Sequence, residues 1–204
     1  MKGMDSIGYF HVCTDGRALP WMFQDESDFI AGVNRIGICH LRTGVTIIAY
    51  VLMDNHVHFL LHGKMPQCKE FITLYKQLTG TWIHLKYGVN DFLRLLPTNI
   101  LLLDTEERLL NTIAYIDRNP VVAGYRYLAT EYPWGSARYV FKDSREGPPA
   151  KPLSALSLRS QRILFSTRVA LPADWRVDNK GMICPRSFID ASIIESYFKT
   201  PDRK

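Results

Sequence analysis

The chain has no Cys-x-x-Cys pair and no dense cysteine framework; Cys13, Cys39, Cys68 and Cys184 are scattered. That spacing fits reduced thiols serving as packing residues better than a disulfide-stapled small fold or a zinc knuckle. Long apolar runs are missing too. The longest covers residues 45–53, far short of a bilayer span. The first twenty residues contain His, Asp, Arg and Gly and no apolar stretch of signal-peptide length, so the expectation is a soluble, cytoplasmic protein with no membrane partner. Internal repeats and low-complexity tracts are also lacking.

A one-sided charge is nearly absent. The net charge is +5, but residues 1–140 carry 13 basic and 13 acidic side chains, whereas residues 141–204 carry 12 and 7. The whole excess therefore lies in the last third, a weak pointer to a polyanion that a merely soluble surface explains equally well. What the chain does have is an ordinary globular composition over 204 residues, 47% hydrophobic and 22% charged. That suits one well-packed core with an appendix.

In chain order, residues 6–13 read as a strand ended by Thr14-Asp15-Gly16. Asp25-Glu26-Ser27-Asp28 reads as a capped helix start with acids in its first turn, and apolar residues recur at helical spacing as far as Gly44. Residues 45–53 and 56–62 form two strands about an Asp54-Asn55 turn that tolerates positive φ. A helix over 67–87 follows the Gly63 and Pro66 breakers, then a strand near 99–103 and a second capped helix from Asp104-Thr105 that Pro120 stops. The order β-α-β-β-α-β-α predicts an α+β fold of the ferredoxin-like, split βαβ type, an antiparallel-rich sheet with helices on one side. The expected division is a domain at 1–140, a linker at 141–153 and a basic C-terminal appendix at 154–204. That appendix would hold a short helix at 157–168, a hairpin through 175–181 and a helix near 190–198.

The chemistry-bearing stretch is His56-Val57-His58. On a strand, residues two apart share a face, so the imidazoles stand together while Val57 points the other way. Alone, such a pair is an even wager between structure and metal ligation. A third party is Tyr115-Ile116-Asp117-Arg118-Asn119-Pro120, where the four-residue spacing puts Tyr115 and Asn119 on one helical face. Two neutral imidazoles and an amide oxygen suit a divalent ion, the ion polarises a phosphate, and a phenolate can attack it. A tyrosine hydroxyl ordinarily titrates near 10, so it needs such help at neutral pH.

The ordered set His56-Val57-His58 after Leu52-Met53-Asp54-Asn55, Tyr115-x-x-x-Asn119-Pro120-Val121, and Tyr132-Pro133-Trp134-x-Ser136 resembles the single-tyrosine HUH transposases, in particular the REP-associated tyrosine transposase branch, over about residues 6–140. The resemblance implies an HUH nuclease fold in which His56, His58 and Asn119 are metal ligands. It implies Tyr115 as the nucleophile that forms a 5′-phosphotyrosine and releases a 3′-hydroxyl. Mg²⁺ or Mn²⁺ would be the cofactor, with imidazole ligation favouring Mn²⁺. The implied substrate is single-stranded DNA beside a hairpin, cut and rejoined by a monomer or homodimer. Two departures stand out: Asp54 where many relatives have proline, and a stretch at 91–99 that keeps only Phe92 and Arg94 of an Arg- and aromatic-rich segment.

Further DNA contacts are expected from Lys69, Lys76, Arg94 and Arg118, set against a plain solvated surface. Arg159, Arg162, Arg168 and Arg176 could read a hairpin arm or only solubilise the tail. His62 and His11 share the sheet with the His pair and are read mainly as packing or surface imidazoles, and Trp134 mainly as a packing plug. The competing functions are a nucleic-acid-binding module that has lost cleavage, and a zinc protein that would recruit His62 or His11 and leave Tyr115 and Asn119 unexplained.

Overall fold

The computed structural model describes residues 6–91, 93–142 and 149–198. Four strands, β1 (Ile7–Thr14), β2 (Thr46–Leu52), β3 (Val57–Lys64) and β4 (Thr98–Leu103), form one sheet in the order β2-β3-β1-β4, with every neighbouring pair antiparallel. With α1 (Glu26–Thr43), α2 (Met65–Tyr87) and α3 (Glu106–Val122), the element order and sheet order are those of the expected α+β split βαβ arrangement.

Local chemistry sets the helix ends. Asp25 accepts from the Asp28 amide at the start of α1, and Gly44, at φ 70°, ends it in the left-handed conformation that glycine adopts without strain. Thr105 caps α3 in the same way, accepting from the Arg108 amide. Gly63 and Pro66 do not break the chain, because β3 runs directly into α2 and Pro66 occupies the first helical turn, where no amide donor is required. The turn before β3 also differs from expectation. It closes through Met53 N–H to His56 O at 2.8 Å, and positive φ is absent from Asp54 and Asn55; among the described residues only Asp91 and Ser166 adopt it without being glycine.

The two faces of the sheet carry separate cores. Phe10, Val12, Val57, Phe59 and Leu61 point toward α1 and α2, where they meet Val33, Ile36, Phe71 and Tyr75. Leu60, Val51 and Leu103 point the other way, onto Leu109, Ile113 and Ile116 of α3. Helices therefore cover both faces rather than one, because β2 is apolar on both sides and Leu60 and Leu103 extend its second apolar face under α3. Pro120 does not stop α3. The helix passes through it to Val122, since Pro120 is buried and the turn beyond is closed by Ala123 N–H to Asn119 O and Tyr125 N–H to Pro120 O. Pro120 itself donates no helical bond.

Of the residues expected as linker, 143–148 lie outside the described residues, but Ala150–Pro152 form β5, paired with β6 (Arg176–Asp178), and Leu153 is fully buried. The region expected as an appendix contributes Phe165, Trp175, Val177, Met182, Ile183 and Phe188 to the first core and Ala191 and Ile194 to the second. Gly37 of α1 lets Trp175 approach, since a Cβ there would sit 2.9 Å from its ring. Buried Asn34 fixes the hairpin by donating to Gly181 O at 2.9 Å and accepting from the Ile183 amide at 2.7 Å. The short helices α4 (Ala137–Phe141), α5 (Leu158–Phe165) and α6 (Ser192–Tyr197) complete the order. The outer edge of β2 is covered by Leu52 N–H to Trp134 O, Ser136 N–H to Tyr50 O, and Asp190 N–H to Ile47 O. No helix among the described residues is long and apolar enough to cross a membrane.

Candidate metal and nucleophile site

The loop before β3 and Tyr115 of α3 meet at one cleft. Its volume is roughly 410 Å³, and it is lined by His56, His58, Tyr115, Cys13, Asp15 and Arg17, among others. His58 is the second residue of β3, and its direct cross-strand partner on β1 is Cys13, so both side chains stand on the α3 face with His11 two residues along. His56 precedes the strand rather than belonging to it.

Each imidazole is oriented by a neighbour. The His56 Nδ1–H donates to Asn55 Oδ1 at 2.7 Å, while Asn55 Nδ2 donates to Gly16 O at 2.9 Å; His56 Nε2 therefore carries the lone pair. A Cβ on Gly16 would meet His56 Nδ1 at 2.8 Å, so only glycine allows this approach. His58 is 4% exposed, and its Nδ1 lies 3.0 Å from His11 Nε2. The His56 and His58 rings are 4.9 Å apart at 89°. His58 Nε2 is buried with no hydrogen-bond partner.

Burial disfavours the charged imidazoles, and the neighbouring His56 and His11 add to it at His58, whose pKa falls to about 3. His11 is lowered by burial alone, and at His56 burial outweighs the upward pull of Asn119, Asp54 and Asp15. All three rings are neutral at physiological pH, the form that ligates metal.

Tyr115 is half exposed, at 52%, and stands edge-on to His58 at 5.3 Å and to His11 at 5.8 Å. Asn119, one turn on, donates from Nδ2 to Tyr115 O at 2.8 Å, and the same side chain also hydrogen-bonds His56. The structure thus brings His56, His58, Tyr115 and Asn119 together. A divalent ion fits this set. The orphaned His58 Nε2, the His56 Nε2 and the Asn119 Oδ1 are neutral donors of the kind such an ion takes.

The expected DNA contacts are not gathered there. Lys76 Nζ donates to Leu96 O at 2.6 Å and is bound to the segment that leads into β4. Arg94 pairs with Asp91 at 3.2 Å across a separate cleft of roughly 530 Å³ beside α2. Lys69 and Arg118 are exposed, and Phe92 lies outside the described residues. Trp134 stacks on Phe29 at 4.9 Å and 9°, a packing role, while Tyr132 Oη donates to Leu52 O at 2.8 Å. His62 stacks on Tyr9 at 4.5 Å, and His40 donates to Val45 O at 2.6 Å.

Sequence reasoning gave too little weight to His11 and Cys13, which with His58 offer ligand atoms all within 4.8 Å of one another. The parity of β1 was the available signal, but its register against β3 was not. Arg17, clamped onto Asp15 through two nitrogens at 3.0 Å, was also missed at the cleft rim.

No protein-family model matches the sequence, and no curated protein does. Among solved structures, one of a REP-associated tyrosine transposase bound to a REP hairpin is similar to this chain, at 13% identity and a TM-score of 0.49, over 66% of this chain and 78% of that one. A likeness of that size carries no functional argument, and the chemistry rests on the geometry of the cleft.

Proposed function

We propose that the protein cuts and rejoins single-stranded DNA by transesterification, with Tyr115 as nucleophile and His56, His58 and Asn119 as ligands of a Mg²⁺ or Mn²⁺ ion. One observation carries the reading: a half-exposed tyrosine stands edge-on to a buried histidine whose Nε2 has no partner. Most buried side-chain polar atoms have a hydrogen-bond partner, and this nitrogen, which belongs to the cleft's histidine pair, has none. The ordered motifs and their resemblance to the single-tyrosine HUH transposases support the same roles, and a hairpin-flanked substrate follows from that resemblance.

In the proposed reaction the Tyr115 hydroxyl oxygen bonds to a backbone phosphorus as the bond from phosphorus to O3′ breaks. The phenolic proton is lost and the departing O3′ gains one, so charge and atoms balance. A bound divalent ion supplies Lewis-acid polarisation of the phosphate and stabilises the negative charge that develops. The chain's own part is positional. Asn55 turns His56, β3 fixes His58, and α3 delivers Tyr115 and Asn119 from one face. Arg17 at the rim offers a cation to the DNA backbone. Rejoining is the same step reversed, with a 3′-hydroxyl attacking the phosphotyrosine.

The test is a covalent, denaturant-resistant adduct between purified protein and single-stranded hairpin oligonucleotides in Mn²⁺. The adduct is expected with the unsubstituted protein and lost on chelation or in Tyr115→Phe, which still binds DNA. No adduct across a broad oligonucleotide library, with fold and metal binding intact, overturns cleavage; an adduct that survives Tyr115→Phe reassigns the nucleophile.

A further inference from the structure

We propose that His11 is the positioning residue for His58, fixing which nitrogen carries the proton and holding the ring so that the lone pair falls on Nε2. The inference rests on the metal-site reading above. The two rings lie 5.2 Å apart and nearly parallel, at 22°, with His11 Nε2 3.0 Å from His58 Nδ1. One hydrogen must sit between those nitrogens. If His11 donated it, the proton of neutral His58 would have to reside on Nε2, a buried donor with no acceptor. An orphaned buried donor is the costlier arrangement, because a lost hydrogen bond is added to the desolvation of the N–H. If His58 Nδ1–H donates to His11 Nε2, the lone pair falls on His58 Nε2, the form a metal needs. His11 then carries its own proton on Nδ1.

Metal-binding histidines commonly donate their second nitrogen to a carboxylate or a backbone carbonyl. Here the acceptor is a neutral imidazole delivered by the adjacent strand, two residues from Cys13, the cross-strand partner of His58. The consequence is electrostatic. With three neutral ligands and a neutral orienting group, an ion would keep nearly its full charge for the phosphate. His11 also stands 5.8 Å from the Tyr115 ring, so one side chain braces both the proposed ligand and the proposed nucleophile.

The experiment combines imidazole nitrogen NMR on the metal-free protein with Mn²⁺ calorimetry on the unsubstituted chain, His11→Phe and His11→Gln. Phenylalanine keeps the ring contacts without an acceptor; glutamine restores an acceptor near the position of Nε2. The unsubstituted protein should show His58 as a single Nδ1–H tautomer. His11→Phe should lose that single tautomer and bind Mn²⁺ about 10- to 100-fold more weakly, while His11→Gln stays within about threefold. His58 carrying its proton on Nε2 in the unsubstituted protein overturns the inference, as does a folded His11→Phe that binds Mn²⁺ undiminished while His58→Ala does not. If the unsubstituted protein binds no Mn²⁺, the metal reading fails, and the tautomer alone upholds or overturns the assignment of His11. If His11→Phe does not fold, the unsubstituted tautomer and His11→Gln decide.

Discussion

Two buried polar clusters in this molecule are built on opposite rules. At the junction of α1 and α2, the Asp28 carboxylate is fully enclosed and takes donors on every side: Lys86 Nζ and Trp82 Nε1 at 2.8 Å, Tyr87 Oη at 2.7 Å and the Gln24 amide at 2.9 Å. Lys86 also bonds Asp25 at 2.7 Å and lies over the Trp82 and Tyr87 rings. At the other cluster, His58 is as buried, yet one of its two nitrogens bonds nothing in the protein. The first network has its acceptors filled and serves the fold; in the proposed function the open nitrogen of the second is where an ion would be held.

The contrast can be broken or sharpened by experiment. Replacing Tyr115 with Phe should cut adduct formation at least a thousandfold, about 4 kcal/mol of barrier, with stability unchanged within about 0.5 kcal/mol because the ring is half exposed. Adduct yield and urea denaturation of the same sample check both halves. The opposite pattern is expected for Asp28→Ala. Stability should fall by about 3–5 kcal/mol, since Trp82, Tyr87 and Lys86 lose a shared buried acceptor, while Mn²⁺ affinity is unchanged. A weakened metal site in that variant would erase the distinction between the clusters.

Acid should separate them by pH. His58 is held down from 6.5 to about 3, so between those values the unfolded chain binds the proton that the folded one refuses, and stability drops as pH falls below 6.5. At Asp28, burial opposes ionisation but the Lys86, Trp82, Gln24 and Tyr87 donors outweigh it. Its folded pKa lies below 3.8, so its contribution is complete above 3.8 and is lost as pH falls through the folded value. Denaturation midpoints from pH 7 to 2 should therefore fall in two stages, the upper one flattened in His58→Phe and the lower one in Asp28→Asn. The smallest effect concerns DNA. Lys69→Met should lower the salt slope of single-strand binding by about 0.7 if the exposed ammonium meets a phosphate, whereas Lys76→Met should leave the slope unchanged and cost about 1 kcal/mol of stability through the Leu96 bond.

What the sequence made legible was local. Asp25, Gly44 and Thr105 bound their helices as read, because caps act within four residues. The proximity of Tyr115 and Asn119 was legible for the same reason. Asp28 was read as a first-turn acid, but its side-chain partners come from α2, more than fifty residues away, and nothing in the local pattern names them. The His11–His58 contact depends on the register between two strands, which pairing and packing set together. Pro120 obeyed tertiary packing over its own propensity, and the third helix covers the second face because Ile48, Val51, Leu60 and Leu103 present apolar side chains there.

The cover on the outer edge of β2 has a consequence for how the chain reaches its folded state. Residues 134–136 seal Tyr50 and Leu52, but Ile47 waits for Asp190 and Ile189, and the groove at Gly37 waits for Trp175. On a ribosome, the first 140 residues emerge with part of an edge strand unpaired and part of a helix face bare, both adhesive surfaces. The last fifty described residues act as a closing clasp. Folding is complete only when a segment some 140 residues downstream returns to β2, and until then the nascent chain is at its most vulnerable to pairing with a neighbour.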